Sequence, residues 1–185
     1  MTLLLWVALL AFWAVWLYPF IFRAPHGQKR ESITAAGPTR LGLGLEVLAI
    51  AIACAVRLPE SEPRGAIRII VALISGPLSA LISWTAVVHL GRQFRVTAGL
   101  YHDHKLVTTG PYSIVRHPIY SSLLAMLVCT ISLLTPLPWA AVSLVIFIVG
   151  TEIRVRTEDG LLGSRFGNAF EQYRKSVSAY IPFVR

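Results

Sequence analysis

The apolar residues of this chain fall into five long runs, and polar stretches separate the runs. About 20 apolar residues in a helix cross a bilayer, so the runs predict membrane spans. The predicted spans cover residues 1–22, 41–56, 66–90, 118–135 and 137–151. The last two are joined by Thr135-Pro136-Leu137-Pro138, which predicts a tight helical hairpin.

A polar tail follows the last run, and apolar residues recur in it at helical spacing. Leu162, Phe166, Phe170 and Tyr173 are separated by four, four and three positions, with charged residues between them. This pattern predicts an amphipathic helix over residues 158–173. We expect this helix to lie against the membrane face or over the polar stretch 91–117.

The composition is that of a membrane protein. Hydrophobic residues make up 55% of the chain and charged residues 14%. The mean hydropathy is +0.65, which is too apolar for an ordinary soluble domain. We therefore predict an all-α integral membrane protein with about five transmembrane helices. Residues 1–185 form a single domain in this interpretation, with a small cytoplasmic cap built from residues 91–117 and 152–185.

The basic residues indicate how the spans are oriented. The net charge is +8, and all but three of the 17 lysines and arginines fall in the first loop, the third loop or the C-terminal tail. The positive-inside rule then predicts an external N-terminus and places the polar stretch and the tail in the cytoplasm. The short chain and the lack of sorting signals favour a prokaryotic inner membrane. No basic surface interleaved with aromatic residues is visible, so we expect no nucleic acid partner.

Glu46 interrupts the second predicted span. A carboxylate that faced lipid would be unfavourable, so we expect Glu46 to face other helices or a polar cavity. A structural, hydrogen-bonded carboxyl is the simpler interpretation of this residue, and a catalytic role is the alternative.

The polar segment from His104 to Tyr120 lies between two apolar runs, so water or a polar ligand must have access to it. Pro118 suits the first turn of a helix, whereas His117 before it favours extended geometry. The fourth helix is therefore predicted to begin at Pro118, with Arg116 and His117 beside its N-terminus. A carboxylate or a phosphate binds favourably at such a place.

Three further features have ordinary interpretations. Arg154 and Glu158 are four residues apart on one helix face, where an ion pair within the helix is the simpler expectation. Tyr112 and Tyr120 suit anchors at the membrane interface. His102-Asp103-His104 has too few metal ligands at a familiar spacing, so we expect no metal.

Several short motifs follow one another between residues 90 and 183. They are His104-Lys105-Leu106-Val107-Thr108, Gly110-Pro111-Tyr112, Arg116-His117-Pro118-Ile119-Tyr120, Arg154, Glu158-Asp159, Leu162, Phe166-Gly167, Tyr173 and Ile181-Pro182. In this combination and order they resemble the isoprenylcysteine carboxyl methyltransferases and the related phospholipid N-methyltransferases. The chain departs from that pattern at Asp159, where a second Glu is usual, and at Ser122 for Gly, Phe170 for Tyr and Ser178 for Pro. Of these changes, Asp159 in place of Glu is the one that can alter the properties of the site.

The resemblance implies that the cytoplasmic cap binds S-adenosyl-L-methionine. The residues that it assigns to the cofactor are His104, Lys105, Leu106, Val107, Tyr112, His117, Pro118, Ile119, Tyr120 and Glu158. The resemblance assigns Arg154 to substrate binding. It also makes Arg154 and Glu158 the catalytic candidates. The cofactor carries a sulfonium cation, a carboxylate and an adenine, so aromatic faces, an anion site and a carboxylate suit it. No GxGxxG motif follows a predicted strand, which excludes the soluble dinucleotide-type fold.

The resemblance also implies methyl transfer to a lipid-like acceptor, and the leading candidate is the carboxylate of a prenylated, isoprenylcysteine-type small molecule. N-methylation of phosphatidylethanolamine, or methylation of another small hydrophobic acceptor, is the alternative. Arg154 would orient a carboxylate without a general base, whereas an amine would need Glu158 or His117 as a base. A membrane sterol reductase and a non-catalytic membrane scaffold are the remaining candidates.

Overall fold

The computed structural model describes residues 2–23, 32–34, 36–94, 99–101 and 105–184. Six α-helices dominate these residues: α1 (Leu3–Phe22), α2 (Ala36–Ala55), α3 (Ala66–Leu90), α4 (Pro118–Leu134), α5 (Leu137–Phe166) and α6 (Asn168–Ser176). Short 3-10 helices span Gly91–Gln93 and Gly110–Ser113, and strands β1 (Ser32–Thr34) and β2 (Gly99–Tyr101) pair in a small antiparallel ribbon. The prediction of an all-α membrane architecture is confirmed, with this ribbon added to it.

Four of the described helices are long and apolar enough to cross a membrane: α1, residues 37–55 of α2, α3 and α5. α4 is also apolar, but its 17 residues are at the lower limit for a span. The chain is therefore a multi-pass membrane protein. α2 begins at Ala36, ahead of the predicted start at residue 41, because Pro38 falls in the first turn, where its missing N–H removes no helical hydrogen bond.

The end of α5 differs from the prediction of a span that stops at residue 151 and a separate helix over 158–173. α5 continues unbroken to Phe166 and contains 30 residues. At about 1.5 Å per residue it is about 45 Å long, which exceeds a hydrocarbon core of about 30 Å. Gly167 ends it with a φ of 52°, which glycine adopts readily, and α6 follows. The predicted boundary was wrong because residues 152–166 contain no proline to stop the helix.

α4 is the central helix of the bundle. α1 packs on α3, α3 packs on α4 and α2 packs on α5, while α4 also contacts α1, α2 and α5. Met126 and Leu127 are fully buried neighbours on α4, and they belong to two different apolar clusters. The first cluster contains residues of α1 and α3, and the second contains residues of α2 and α5. The middle of α4 is therefore packed on both sides.

Two glycines allow α2 and α5 to approach closely. A Cβ atom added to Gly42 would lie 2.6 Å from the carbonyl oxygen of Gly150, and one added to Gly150 would lie 2.7 Å from that of Gly42. Neither position has room for a side chain, so the two backbones are in direct contact. This contact places the first half of α2 against the part of α5 that carries Arg154.

Hydrogen bonds between polar side chains hold α1 and α3 against α4. The Trp16 indole N–H donates to Ser122 Oγ at 3.0 Å, and Ser79 Oγ donates to the Ser122 carbonyl oxygen at 2.7 Å. The Trp13 indole N–H donates to Thr130 Oγ1 at 3.2 Å. Each such bond contributes about 1 kcal/mol in a membrane. Ser122, a departure from the family pattern, therefore connects three helices.

The C-terminal segment pairs with the residues that precede α4. The Arg116 N–H donates to the Ser178 carbonyl oxygen at 2.8 Å, and the His117 N–H donates to the Ala179 carbonyl oxygen at 2.8 Å. Ser121 Oγ donates to the Tyr180 carbonyl oxygen at 2.5 Å. The tail therefore fixes the backbone at the beginning of α4. Ser178 takes part through its carbonyl oxygen, which the proline usual at this position would also supply.

Candidate functional site

A cavity of about 330 Å³ lies at the end of the bundle where α4 begins. Its wall consists of Trp16, Leu17, Phe20, Leu43, Leu90, Gln93, Phe94, Gly99, Lys105, Leu106, Val107, Tyr112, Arg116, His117, Pro118, Ile119, Tyr120, Leu123, Arg154, Glu158, Leu161, Leu162 and Tyr173. Every described residue that the sequence assigned to the cofactor or the acceptor is in this wall. His104 lies outside the described residues.

The start of α4 supplies several of these side chains. His117 precedes the helix with φ −126° and ψ 64°, and Pro118 occupies the first turn, as the sequence predicts. Tyr120 follows within that turn, and the His117 and Tyr120 rings stack with their centroids 5.6 Å apart. Both rings are buried. The local sequence therefore directs an imidazole and a phenol toward α5.

His117 contacts two successive carboxylates of α5. Its Nδ1 atom lies 3.2 Å from Glu158 Oε2, and its Nε2 atom lies 2.9 Å from Asp159 Oδ1. An ionised carboxylate only accepts hydrogen bonds, so both ring nitrogens donate and the ring is an imidazolium. Burial alone would lower the pKa of His117, but the hydrogen bonds from its ring to Asp159 and Glu158 outweigh burial and raise that pKa to about 9.

Asp159 also binds Arg116. The Arg116 Nη2 atom donates to Asp159 Oδ2 at 2.8 Å, and its Nη1 atom donates to the Val177 carbonyl oxygen at 2.5 Å. The Asp159 carboxylate thus joins α5 to the residues before α4, and Arg116 extends this contact to the C-terminal segment. The departure from a second Glu at this position therefore affects the support of His117.

Glu158 receives a second donor, because the Tyr120 hydroxyl donates to its Oε1 atom. The spacing of Arg154 and Glu158 favoured an ordinary ion pair along the helix. In the structure Arg154 pairs with Glu46 of α2, and Glu158 pairs with His117. The Arg154 guanidinium carbon also lies 4.7 Å from the centroid of the Tyr120 ring, which is a cation–π contact.

The six charged side chains in this group balance one another. We call them the charged cluster, and they are the cations Arg116, His117 and Arg154 and the carboxylates Glu46, Glu158 and Asp159. All but Glu158 have an exposed fraction below 9%, and Glu158 is intermediate. Paired charges of this kind are tolerated in a low-dielectric interior because each has a partner. The formal charge of the cluster is zero, since it holds three of each sign.

The rest of the wall is aromatic and apolar. Tyr112 is buried, its hydroxyl donates to the Ala86 carbonyl oxygen at 3.4 Å, and burial raises the pKa of its phenol above the ordinary value. It is therefore a neutral ring. Trp16, Phe20 and Leu43 from α1 and α2 also line the cavity. The wall thus combines charged and apolar side chains, which suits an amphiphilic molecule.

The donor set fits S-adenosylmethionine. The Tyr112 ring offers a face to a sulfonium cation, the Glu158 carboxylate accepts hydrogen bonds, and the start of α4 is a favourable place for a carboxylate. No group of three His, Cys, Asp or Glu side chains that could hold a metal ion occurs among the described residues. His102-Asp103-His104 falls outside that part of the chain.

Residues 70–164 match the sequence profile of the Isoprenylcysteine carboxyl methyltransferase (ICMT) family. The match runs from α3 into α5 and covers more than half of the chain. The chain belongs to this family. The match includes the start of α4 and the residues Arg154, Glu158 and Asp159, whereas α1 and α2 lie outside it.

Curated relatives of this ICMT family member include several protein-S-isoprenylcysteine O-methyltransferases. One is the "Probable protein-S-isoprenylcysteine O-methyltransferase" of Oryza sativa subsp. indica, 33% identical over 117 residues, which cover 62% of this chain and 61% of the relative. "Protein-S-isoprenylcysteine O-methyltransferase B" of Arabidopsis thaliana is 34% identical over 110 residues (58% and 55%). "Protein-S-isoprenylcysteine O-methyltransferase" of Schizosaccharomyces pombe is 37% identical over 103 residues (54% and 43%). The chain spans less than two thirds of the length of each.

Glu46 is the residue of this candidate site whose partners sequence reasoning did not identify. It is 1% exposed, and it accepts hydrogen bonds from Thr151 Oγ1 at 2.9 Å and from Arg154 Nη1 at 2.5 Å. The expectation that Glu46 faces other helices is confirmed. Its partners were missed because a single sequence does not show which spans are neighbours. Gly42 and Gly150 were the available signal, since glycine in a span indicates a close helix contact.

Proposed function

We propose that this chain transfers a methyl group from S-adenosyl-L-methionine to the carboxylate of a prenylated, isoprenylcysteine-type acceptor. One observation carries the proposal: four members of the charged cluster, Arg116, His117, Arg154 and Glu158, line the same cavity as a set of aromatic and apolar side chains. Membership of the family and the names of the relatives support it. A non-catalytic scaffold would not need Arg154 and Glu158 to face the same cavity.

The cofactor would lie beside the charged side chains of the cavity. S-adenosylmethionine supplies a methyl group activated by its sulfonium. Tyr112 offers a ring face to the sulfonium, Glu158 accepts hydrogen bonds from the amino or hydroxyl groups of the cofactor, and Tyr120 holds the Glu158 carboxylate through its hydroxyl. At the start of α4 the Ile119 N–H would donate to the carboxylate, and Pro118, which has no N–H, contributes by beginning the helix at this point. We assign His104, Lys105, Leu106 and Val107 to the same cofactor, with the Lys105–Val107 segment in the cavity wall.

Arg154 would orient the acceptor carboxylate. Its guanidinium lies over Tyr120, next to Glu158, where acceptor and donor must meet. The acceptor oxygen attacks the methyl carbon while the carbon–sulfur bond breaks, so a methyl ester forms and the electron pair stays on sulfur. A carboxylate needs no deprotonation, so alignment by Arg154 and exclusion of water provide most of the rate.

The charge of the cluster favours a carboxylate acceptor over an amine. S-adenosylmethionine carries a net charge of +1 and the carboxylate −1, so this pair adds no net charge to a neutral buried cluster. An amine would also need a base, and His117 donates from both ring nitrogens and has no lone pair to take a proton. These two features support the ester-forming reaction.

The apolar tail of the acceptor would enter from the bilayer. The cavity is lined by the C-terminal ends of α1 and α3, by the N-terminal ends of α2 and α4 and by the C-terminal half of α5. These helix ends lie together if the five spans alternate in direction. Trp16, Phe20 and Leu43 form an apolar wall between α1 and α2. The distribution of Lys and Arg supports placing the charged side chains of the cavity on the cytoplasmic side of the membrane, which we propose is a prokaryotic inner membrane.

The decisive experiment supplies methyl-labelled S-adenosylmethionine to the purified protein in lipid, with N-acetyl-farnesylcysteine or phosphatidylethanolamine offered separately. We expect label on farnesylcysteine that mild base releases, because a methyl ester is base-labile. Base-stable label on the phospholipid would replace this proposal by N-methylation. Cofactor binding without transfer to either acceptor would send the search to other small hydrophobic acceptors. A protein that binds no S-adenosylmethionine would contradict the enzyme assignment.

A further inference from the structure

We propose that Glu46 is a positioning residue that holds Arg154 in the orientation in which Arg154 binds the acceptor carboxylate. The inference rests on the proposed function for its reaction. It extends the site into α2, beyond the part of the chain that matches the family profile. Glu46 itself is absent from the cavity wall, so it acts through Arg154 and not on the substrate.

The geometry supports a holding role. Glu46 Oε2 lies 2.5 Å from Arg154 Nη1, and Glu46 Oε1 accepts the Thr151 hydroxyl at 2.9 Å. Thr151 and Arg154 are neighbours on one face of α5, so Glu46 is fixed at both carboxylate oxygens by the same helix. The Tyr120 ring covers the Arg154 guanidinium from α4 at 4.7 Å. Arg154 is therefore clamped between a carboxylate on one helix and an aromatic ring on another.

The packing of α2 on α5 is built for this contact. An added Cβ atom at Gly42 would lie 2.5 Å from Arg154 Cγ, and the Gly42 and Gly150 backbones touch. Glu46 lies one helical turn after Gly42, on the same face of α2. The absence of side chains at these two glycines brings α2 close enough for the short Glu46 side chain to bind Arg154.

Stability alone is a weak reason for this ion pair. A buried ion pair loses hydration of both charges, and well-packed apolar residues of similar volume often stabilise a fold as well or better. The flexible arginine side chain also loses rotamer entropy when it binds a ligand, unless it is already ordered. Glu46 orders Arg154 before the acceptor arrives, so part of that entropy is lost during folding instead of during binding.

The first test replaces Glu46 with glutamine, which keeps the shape and removes the charge. We expect the KM for N-acetyl-farnesylcysteine to rise about ten-fold, because a charge-assisted hydrogen bond to Arg154 is weakened. The Kd for S-adenosylmethionine should stay within about two-fold, since Glu46 does not line the cavity. Thr151→Val removes only the second contact of Glu46, and it should shift the same KM in the same direction by a smaller factor.

A thermodynamic cycle separates positioning from a general structural role. Affinity for N-acetyl-farnesylcysteine is measured by equilibrium binding in E46Q, R154Q and the double variant. If Glu46 acts through Arg154, E46Q has no further effect once Arg154 is replaced. An equal loss in both backgrounds would overturn the inference. Thr130→Val is the matched control, because it removes a hydrogen bond between α1 and α4 at a residue that does not line the cavity and should leave acceptor affinity unchanged.

A second readout does not depend on activity or on the identity of the acceptor. The protein is labelled with nitrogen-15 arginine in lipid nanodiscs, and the guanidinium signals of Arg154 are assigned by their loss in R154K. We expect restricted rotation of this guanidinium in the wild type and faster averaging in E46Q. Identical Arg154 signals in both proteins would overturn the inference. If the wild type binds neither acceptor, the proposed function fails while this measurement still decides the role of Glu46.

Discussion

His117 and Asp159 are joined by a buried hydrogen bond of 2.9 Å between Nε2 and Oδ1, although 42 positions separate them in the chain. The other ring nitrogen of His117 lies 3.2 Å from Glu158. One imidazolium therefore connects the beginning of α4 to two successive carboxylates of α5. The C-terminal part of α5 is consequently positioned by charged contacts, whereas the middle of the bundle is positioned by apolar packing.

This arrangement predicts that alkaline pH destabilises the fold. The pKa of His117 is raised to about 9, above about 6.5 in an unfolded chain. The stabilisation is therefore fully present below about pH 6.5 and is lost as pH rises through about 9. The thermal unfolding midpoint in lipid nanodiscs, followed across this range, checks the prediction. His117→Gln should unfold at a lower temperature, and its unfolding midpoint should depend less on pH. A wild-type midpoint that stays constant up to about pH 10 would contradict the predicted loss of stability at alkaline pH.

Asp159→Asn should lower the free energy of unfolding by about 3 kcal/mol, because it leaves the buried Arg116 and His117 cations with one carboxylate fewer. Asp159→Glu retains the charge and should cost less, even though the longer side chain must adjust. Thermal unfolding of the three proteins side by side measures the order. Equal stability of the Asn and Glu variants would mean that the charge of Asp159 is unimportant.

Glu158→Gln should weaken S-adenosylmethionine binding by about ten-fold or more, because the carboxylate that faces the cavity loses its charge. Titration calorimetry on the detergent-solubilised protein gives the Kd. Glu171→Gln is the matched control: Glu171 pairs with Arg174 on the exposed side of α6, and such surface pairs contribute little. Similar losses in the two variants would remove Glu158 from the cofactor site.

Arg154→Lys should lower kcat/KM for farnesylcysteine by about 100-fold while the cofactor Kd is nearly retained, because lysine keeps the charge but loses the planar, bidentate donor geometry. Arg156→Lys, on an exposed side chain of the same helix, is the control. Initial rates at saturating S-adenosylmethionine measure the effect. An unchanged rate in Arg154→Lys would exclude Arg154 as the acceptor anchor.

Gly42→Ala should destabilise the protein by about 1–3 kcal/mol, because the new methyl group would force α2 away from α5. Gly44→Ala lies on the same helix with no atom within 4 Å of the added Cβ. It should be neutral or stabilising, since alanine is the better helix former. The difference between the two unfolding midpoints tests the close helix contact, and no difference would argue against it.

Much of the fold follows from the local sequence. The apolar runs predict helices, and Pro118 marks the start of α4 because its ring suits a first turn. The end of α5 was not predictable from the same reasoning, since the amphipathic pattern around Leu162 and Phe170 continues across Gly167 with nearly helical spacing. The break depends on the positive φ of Gly167, which packing of α6 against the cavity selects.

The candidate site also contains residues that the sequence predicted and contacts that it did not predict. Motifs that lie close together in the sequence, such as Arg116 to Tyr120, were assigned to the cofactor through the family resemblance, and Pro118 added the expected helix start beside them. The partners of Arg154 were not, because helix spacing points to Glu158 while Glu46 lies 108 positions away. Hydrophobic periodicity specifies that a segment is a span and which of its residues share a face. It does not specify which span lies opposite, because that choice depends on the shapes of two surfaces in contact.

The sequence by itself therefore determined the class of protein, the helices and the polar stretch that holds the chemistry, because these depend on local composition and spacing. Only the tertiary structure decided that Glu46 binds Arg154, that His117 lies between two carboxylates and that the charged cluster is neutral. Those relationships arise where α2, α4 and α5 meet. Burial there makes each charge unfavourable without a partner, so the packing that brings the helices together also determines the pairing.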